Sequence, residues 1–140
     1  MLLRRVIAAT GDPAVDGEVH RDAEGAGVWV NVADDAARCS VVLPALARDG
    51  AVTVSVTTAG ASPALAGWLR DRAVDALGPG LGDLAALLEE ARRRVHERGR
   101  STESVPWRDL LDGPLPALVR SGRSDEAHAV VDAFLEHHLL

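Results

Sequence analysis

The segments VIAATGDP (residues 6–13) and VWVNVADD (residues 28–35) decide the predicted fold. Each is an apolar run that ends in polar residues, and such a run is typical of a buried strand. In the first segment Asp12 precedes Pro13, which indicates a helix start because aspartate caps free N–H groups and proline has none to lose. Glycines end that helix before the second segment. A strand, a helix and a second strand predict a βαβ unit with parallel strands.

A hairpin is predicted next. Asp49-Gly50 separates the apolar run 41–46 from the run 52–57, and Asp-Gly between two such runs is a strong hairpin signal. Valine alternates with hydroxyl residues in the second run, so one of its faces should be buried and the other polar. Ser62-Pro63 then begins a helix that is expected to end at Leu77.

The C-terminal region is predicted to be helical. The cluster Gly78-Pro79-Gly80 is the candidate boundary, and it divides the chain into domains 1–78 and 79–140. Apolar residues recur at helical spacing beyond it, with charged residues on the opposite face. Three helices are predicted there, over residues 81–95, 107–119 and 125–139.

Composition excludes several classes of function. A net charge of −6 argues against a general nucleic-acid or membrane-surface binder, because such proteins need a basic field. No apolar run reaches the roughly 20 residues that span a bilayer. Cys39 is the single cysteine, so no internal disulfide can form and a cytoplasmic location is predicted. The five histidines lack the spacing of metal ligands, so no bound metal is predicted.

Polar residues follow three of the predicted strands. They are Thr10 after the first strand, Asn31 and Asp34 at the end of the second, and the loop 57–63 after the hairpin. Open α/β sheets bind ligands at the carboxyl ends of their strands. One such residue alone is usually a helix cap, so their convergence is what predicts a site.

These segments, in this order, resemble the siroheme synthase family. The dehydrogenase domain of that family has a strand of the type (V/I)IAAT-D, a strand end NVVD, an apolar stretch leading into proline, and a loop (S/T)xGxSP. They match residues 6–12, 31–34, 41–44 and 58–63, and the resemblance covers residues 4 to about 95. It implies an α/β fold: the C-terminal half of a Rossmann-like, mostly parallel sheet with a hairpin, followed by a small helical region.

The resemblance also implies an activity. Family members oxidise precorrin-2 to sirohydrochlorin with NAD, and many then insert Fe²⁺, as the chelation substrate, to make siroheme. Asp34 matches the essential aspartate of the family, to which a role in acid–base catalysis is assigned. That role is chemically reasonable, because a carboxylate at a strand end can accept a proton from a ring carbon or a pyrrole nitrogen. Its neighbour Asp35 is expected to be a cap or a solvated charge.

Binding residues are predicted around this aspartate. The loop 57–63 is expected to direct backbone N–H groups and a helix N-terminus at the cleft, which suits a ligand with many carboxylates. Arg38 and Arg48 either contact ligand carboxylates or are plain solvated surface. Thr10 is a candidate contact to the cofactor. The predicted substrate-binding residues are Asn31, Thr57, Thr58, Gly60 and Ser62.

The sequence departs from the family at its beginning. Family members start with a strand, a glycine-rich turn and a helix that cradle the pyrophosphate. No such turn is present here, and the match begins at what would be the fourth strand. We therefore expect the NAD-binding half to be missing, because the chain is truncated, its start is assigned too late, or another polypeptide supplies that half.

Three interpretations follow. The first is an enzyme of siroheme synthesis that acts on a tetrapyrrole and is completed by missing sequence or by a partner chain. The second is a noncatalytic tetrapyrrole-binding or dimerisation module. The third is another nucleotide-dependent oxidoreductase that shares only the fold. An exposed sheet edge would favour association, so a homodimer or a partner chain carrying the missing half is expected.

Overall fold

The computed structural model describes residues 5–139, so the ends of the predicted domains, residues 1–4 and Leu140, lie outside the described residues. Its strands are β1 (Arg5–Ala8), β2 (Trp29–Val32), β3 (Ala45–Asp49) and β4 (Val52–Val56). Its helices are α1 (Pro13–Gly25), α2 (Pro63–Leu77), α3 (Leu81–Glu97), α4 (Trp107–Leu111), α5 (Leu115–Arg120) and α6 (Ser124–Leu139). The mixed α/β architecture agrees with the predicted fold class.

The chain forms two compact units. One contains residues up to Leu46 together with Ser55–Arg72, and the other contains Ala47–Val54 together with the residues from Ala73 onward. The hairpin and α2 therefore contribute residues to both units. The predicted boundary at Gly78 stays a prediction.

The first unit is built on the predicted βαβ unit. Strands β1 and β2 pair in parallel, with Val6 opposite Val30 and Ala8 opposite Val32. Helix α1 begins where the sequence indicates, because the Asp12 carboxylate accepts a hydrogen bond from the Ala14 N–H at 2.9 Å. The parallel pairing and the helix start are confirmed.

Only one face of this parallel pair is covered by the described residues. Ala8, Val30 and Val32 are buried together with Ala23 of α1. On the opposite face Ile7 and Trp29 are exposed, with 53% and 64% of their surface accessible. Parallel strands are normally buried on both faces. The predicted burial of these strands therefore holds for the face that α1 covers.

The hairpin forms a separate two-stranded sheet from β3 and β4. In β4 the valines are half-buried and the hydroxyl residues are exposed, as the alternation predicts. The expected first arm, 41–46, is wrong at its start, because β3 begins only at Ala45. Pro44 has no N–H for a ladder, and the Val41 N–H bonds instead to the Val30 carbonyl at 3.2 Å.

The second unit has a core of helices. Its buried residues are Leu87, Ala91, Val95, Val105, Leu110, Leu115, Leu118, Ala127, Val131 and Leu135. The predicted helix 107–119 is wrong as a single element, since α4 and α5 are separate helices. Pro114 cannot donate a hydrogen bond to the carbonyl of Leu110, and its ring would clash with that carbonyl in a continuous helix.

The turn of the hairpin requires glycine at position 50. Gly50 has a φ of +55°, and an added Cβ would lie 2.9 Å from the Cα of Gly82. We expect Gly50→Ala to lower the free energy of unfolding by about 1–3 kcal/mol in urea denaturation, because strain and a backbone clash add. Gly67→Ala is the matched control. It lies inside α2 with no atom within 4 Å of an added Cβ, so it should stabilise by about 0.5–1 kcal/mol. Equal effects of the two would contradict this account.

Candidate functional site

The carboxyl ends of β1 and β2 lie at one edge of the parallel pair. The Ala33 N–H donates to the Ala8 carbonyl at 2.8 Å, which continues the ladder one step past β2. The chain then turns at Asp34, whose φ is +60°. Aspartate is among the few residues other than glycine that adopt this left-handed conformation readily. The fold thus holds Asp34 at the strand end where the sequence places a site.

Asp34 lines two cavities of the first unit. One has a volume of about 350 Å³ and the other of about 270 Å³, and both are lined by residues 32–35. Asp34 is exposed, and within the described part of the chain its carboxylate has no hydrogen-bond or ion-pair partner. A carboxylate that none of the described groups engages is available to a ligand in either cavity.

Unlike Asp34, the neighbouring Asp35 is bonded to another side chain of the protein. Its Oδ1 accepts a hydrogen bond from the Arg38 N–H at 3.3 Å, and its Oδ2 lies 3.4 Å from Nε of the same arginine. Asp35 therefore caps the short 3-10 helix Ala36–Arg38, which is the capping role predicted for it.

Asn31 is half-buried and helps to fix the loop after β2. Its Nδ2 donates to the Val41 carbonyl at 2.9 Å and lies 3.5 Å from the Cys39 sulfur. That sulfur also accepts from the Val32 N–H at 3.2 Å. The amide nitrogen of Asn31 is therefore engaged by the protein, and its side-chain oxygen is the atom left for a ligand.

The loop after β4 is held by its own hydrogen bonds. The Thr57 hydroxyl accepts from the Ala59 N–H at 3.1 Å, and the Thr58 hydroxyl accepts from the Ser62 N–H at 3.0 Å. The Thr58 carbonyl accepts from the Ala61 N–H at 2.9 Å. The expectation that this loop presents its N–H groups to ligand carboxylates is therefore wrong for these three groups, because each is already bonded within the loop.

Gly60 brings this loop against the Asp34 loop. Its φ is +84°, and an added Cβ would lie 3.3 Å from the Cβ of Ala36. It lines the 350 Å³ cavity with Asn31 and Asp34. It also lines a neighbouring cavity of about 190 Å³ with Thr57 and Thr58.

Two predicted site residues lie outside these three cavities. The Ser62 hydroxyl accepts from the Leu65 N–H at 3.2 Å in the first turn of α2. Thr10 directs both its donors at Asp16, since its N–H and its hydroxyl lie 3.1 and 2.8 Å from Oδ1 of that residue. Their assignments to substrate and cofactor stay predictions.

Asp16 is a site residue that sequence reasoning missed. It is only 7% exposed and lines the 270 Å³ cavity. A buried carboxylate needs hydrogen-bond donors, and Thr10 supplies two of them. The available signal was an acidic residue in the first turn of a helix that follows a strand-end threonine.

Neither a metal cluster nor a membrane span is found in residues 5–139. No group of three or more His, Cys, Asp or Glu side chains there is placed to hold a metal ion. No helix in the same range is long and apolar enough to cross a bilayer.

Comparison with known proteins identifies relatives of this chain. Residues 3–45 match the family model described as "Putative NAD(P)-binding", and residues 80–135 match the "Sirohaem synthase dimerisation region". The siroheme synthase of Azotobacter vinelandii is 35% identical over 131 residues, which are 92% of this chain and 28% of that protein. The siroheme synthase of Methylococcus capsulatus is 37% identical over 131 residues, 91% of this chain and 27% of that protein.

The chain belongs to the siroheme synthase family. The resemblance inferred from the four motifs is thereby confirmed. The chain spans little more than a quarter of the length of the curated siroheme synthases it matches, 28% of the one from Nitrosococcus oceani. Asn31 and Asp34 lie within the segment that matches the putative NAD(P)-binding model, whereas the loop 57–63 lies between the two matched segments.

Proposed function

We propose that this chain serves siroheme biosynthesis, as part of a protein that oxidises precorrin-2 to sirohydrochlorin. One observation carries the proposal: Asp34 stands at the carboxyl end of β2, lines both cavities, and has a carboxylate without a partner among residues 5–139. Membership of the siroheme synthase family supports the pathway, and the position of Asp34 supports the site.

Asp34 is the proposed acid–base residue. A carboxylate within hydrogen-bond reach of a substrate carbon or pyrrole nitrogen can accept the proton that leaves on oxidation or on metal insertion. The neighbouring Asp35 is engaged with Arg38 and cannot serve equally well. We propose that Asn31 and Gly60 contact the substrate in the same cavity as Asp34, and that Thr57 and Thr58 do so from the adjoining one.

The described residues do not fit the pyrophosphate of NAD. The turn from β1 into α1 offers a helix N-terminus, the kind of position at which a phosphate can bind, although the family match makes β1 the fourth strand rather than the first, whose turn holds the pyrophosphate. Here the Asp12 carboxylate already occupies the N–H groups of Ala14 and Val15, and Asp16 takes both donors of Thr10. These residues therefore provide no pyrophosphate site, and NAD stays the proposed cofactor of a form that carries the glycine-rich half.

This lack of fit predicts the behaviour of the 140-residue chain. We expect it to show no binding in titration calorimetry at NAD concentrations up to about 1 mM, because a carboxylate at the helix N-terminus repels phosphate. A longer form that carries the glycine-rich half is the control and should bind. Micromolar affinity of the short chain would contradict the prediction.

Turnover distinguishes an enzyme from a binding module. In a longer form with the glycine-rich half, precorrin-2 and NAD should give sirohydrochlorin, which is followed by its absorbance. Tetrapyrrole binding without turnover would favour the noncatalytic alternative. Adding Fe²⁺ to the product tests whether the same site also makes siroheme, which we propose as a second activity with Fe²⁺ as substrate.

A homodimer is the proposed assembly. The match of residues 80–135 to the dimerisation region supports it, and sedimentation of the chain at several concentrations would test it. A purely monomeric chain at micromolar concentration would count against a homodimer. The predicted cytoplasmic location stays a prediction.

A further inference from the structure

The 270 Å³ cavity beside Asp34 has an uneven distribution of charge. Its described lining includes three carboxylates, those of Asp16, Asp34 and Asp35, and a single cation, Arg38. The 350 Å³ cavity adds no further cation. We propose that Arg38 binds a carboxylate arm of the tetrapyrrole and selects macrocycles that carry many such arms. This inference rests on the function proposed above.

Contacts with α1 fix the position of the Arg38 side chain. Its Nη1 donates to the Pro13 carbonyl at 3.3 Å. Gly17 makes room for it, since a Cβ at that position would lie 3.2 Å from Nη1. Glycine inside a helix is unfavourable relative to alanine, and accommodation of the guanidinium gives a physical reason for its presence in α1.

Arg38 keeps donors available for a ligand. A guanidinium carries five N–H groups in a fixed fork. Nε faces Asp35 at 3.4 Å and Nη1 faces Pro13, whereas Nη2 makes neither contact. The side chain is 41% exposed, so a carboxylate can reach it from the cavity.

Electrostatics makes such a cation necessary. The chain has a net charge of −6, and a polycarboxylate that approaches Asp34 meets like charges on the cavity wall. Like-charge contacts oppose binding unless a cation offsets them. Arg38 is the one cation among the described residues that line these two cavities, so it should set the preference between tetrapyrroles with different numbers of carboxylates.

Porphyrin binding to the full chain tests the inference. The probes are uroporphyrin, an octacarboxylate, and coproporphyrin, a tetracarboxylate, each titrated by its fluorescence at low ionic strength. The wild-type chain should bind uroporphyrin more tightly than coproporphyrin. Arg38→Met should weaken uroporphyrin binding about fivefold to tenfold and reduce the preference, because one charge-assisted hydrogen bond is lost. The difference should shrink in about 1 M salt.

Three further variants separate ligand binding from general charge and from structure. Arg5→Met removes the same charge at the exposed start of β1, the end of the strand away from both cavities, and it should change affinity by less than about twofold. Asp35→Asn breaks the ion pair with Arg38 but keeps a cap-competent side chain. It should leave uroporphyrin binding equal or tighter, since it removes a like charge. Arg38→Lys keeps the charge without the forked guanidinium, so its uroporphyrin affinity should fall between those of the wild type and Arg38→Met. It tests the role of Arg38 with a charged side chain still in place.

The possible outcomes separate this inference from the function on which it rests. If Asp35→Asn weakens binding as much as Arg38→Met, Arg38 only fixes the loop and the inference is overturned. Equal losses in the Arg38 and Arg5 variants would overturn it as well. Failure of the wild-type chain to bind uroporphyrin at all would instead count against the proposed tetrapyrrole function itself.

Discussion

Replacing Asp34 by asparagine should slow sirohydrochlorin formation by roughly 10²–10⁴-fold, in a form of the protein that carries the glycine-rich half. Asparagine has nearly the same shape but cannot accept the proton. It also adopts positive φ readily, so the φ of +60° at this position should be kept. Initial rates from sirohydrochlorin absorbance measure the effect, and calorimetry should show unchanged NAD affinity.

Asp35→Asn is the matched control for this substitution. Asp35 caps the turn Ala36–Arg38, and asparagine can cap it as well. Its effect on turnover should stay within about threefold. Equal small effects of the two substitutions would remove Asp34 from the acid–base role, and the hydroxyls of Thr57 and Thr58 would be the next candidates. Unfolding of both variants would show that the pair is only structural.

The second large effect is expected in the core of the helical unit. Leu115 is 0% exposed at the start of α5. Leu115→Ala should lower the free energy of unfolding by about 2–5 kcal/mol, because the buried surface is lost and a cavity remains. Leu111→Ala makes the same chemical change in α4, where the side chain is 38% exposed, and should cost less than about 1 kcal/mol.

Urea denaturation followed by circular dichroism measures both leucine variants. A loss at Leu115 no larger than the loss at Leu111 would mean that the core does not close around α5. Because α5 lies within the segment that matches the dimerisation region, protein concentration must be held constant between the variants.

Local signals in the sequence were sufficient for most elements. Asp12-Pro13 and Ser62-Pro63 mark the starts of α1 and α2, because a capping oxygen and a missing N–H act within one helical turn. A local signal also marks the break between α4 and α5, because Gly113-Pro114 interrupts a helix. The predicted single helix 107–119 did not take this signal into account.

The predicted strand at Val41 failed for a different reason. Its residues have high strand propensity, but the Val41 N–H is taken by the carbonyl of Val30, eleven residues earlier in the chain. Strand pairing depends on partners that are distant in sequence, so propensity alone does not decide it.

For the site, the sequence by itself determined that Asp34 follows a buried strand and that a hydroxyl-rich loop ends before α2. Only the tertiary structure decided which of these polar groups remain free. It bonds the loop N–H groups to Thr57 and Thr58, commits Thr10 to a buried Asp16, and engages Asp35 with Arg38. Among the residues that the structure describes, Asp34 is left without a partner. The reason is that hydrogen bonds form between atoms brought together by folding, and a linear pattern of residue types does not contain those distances.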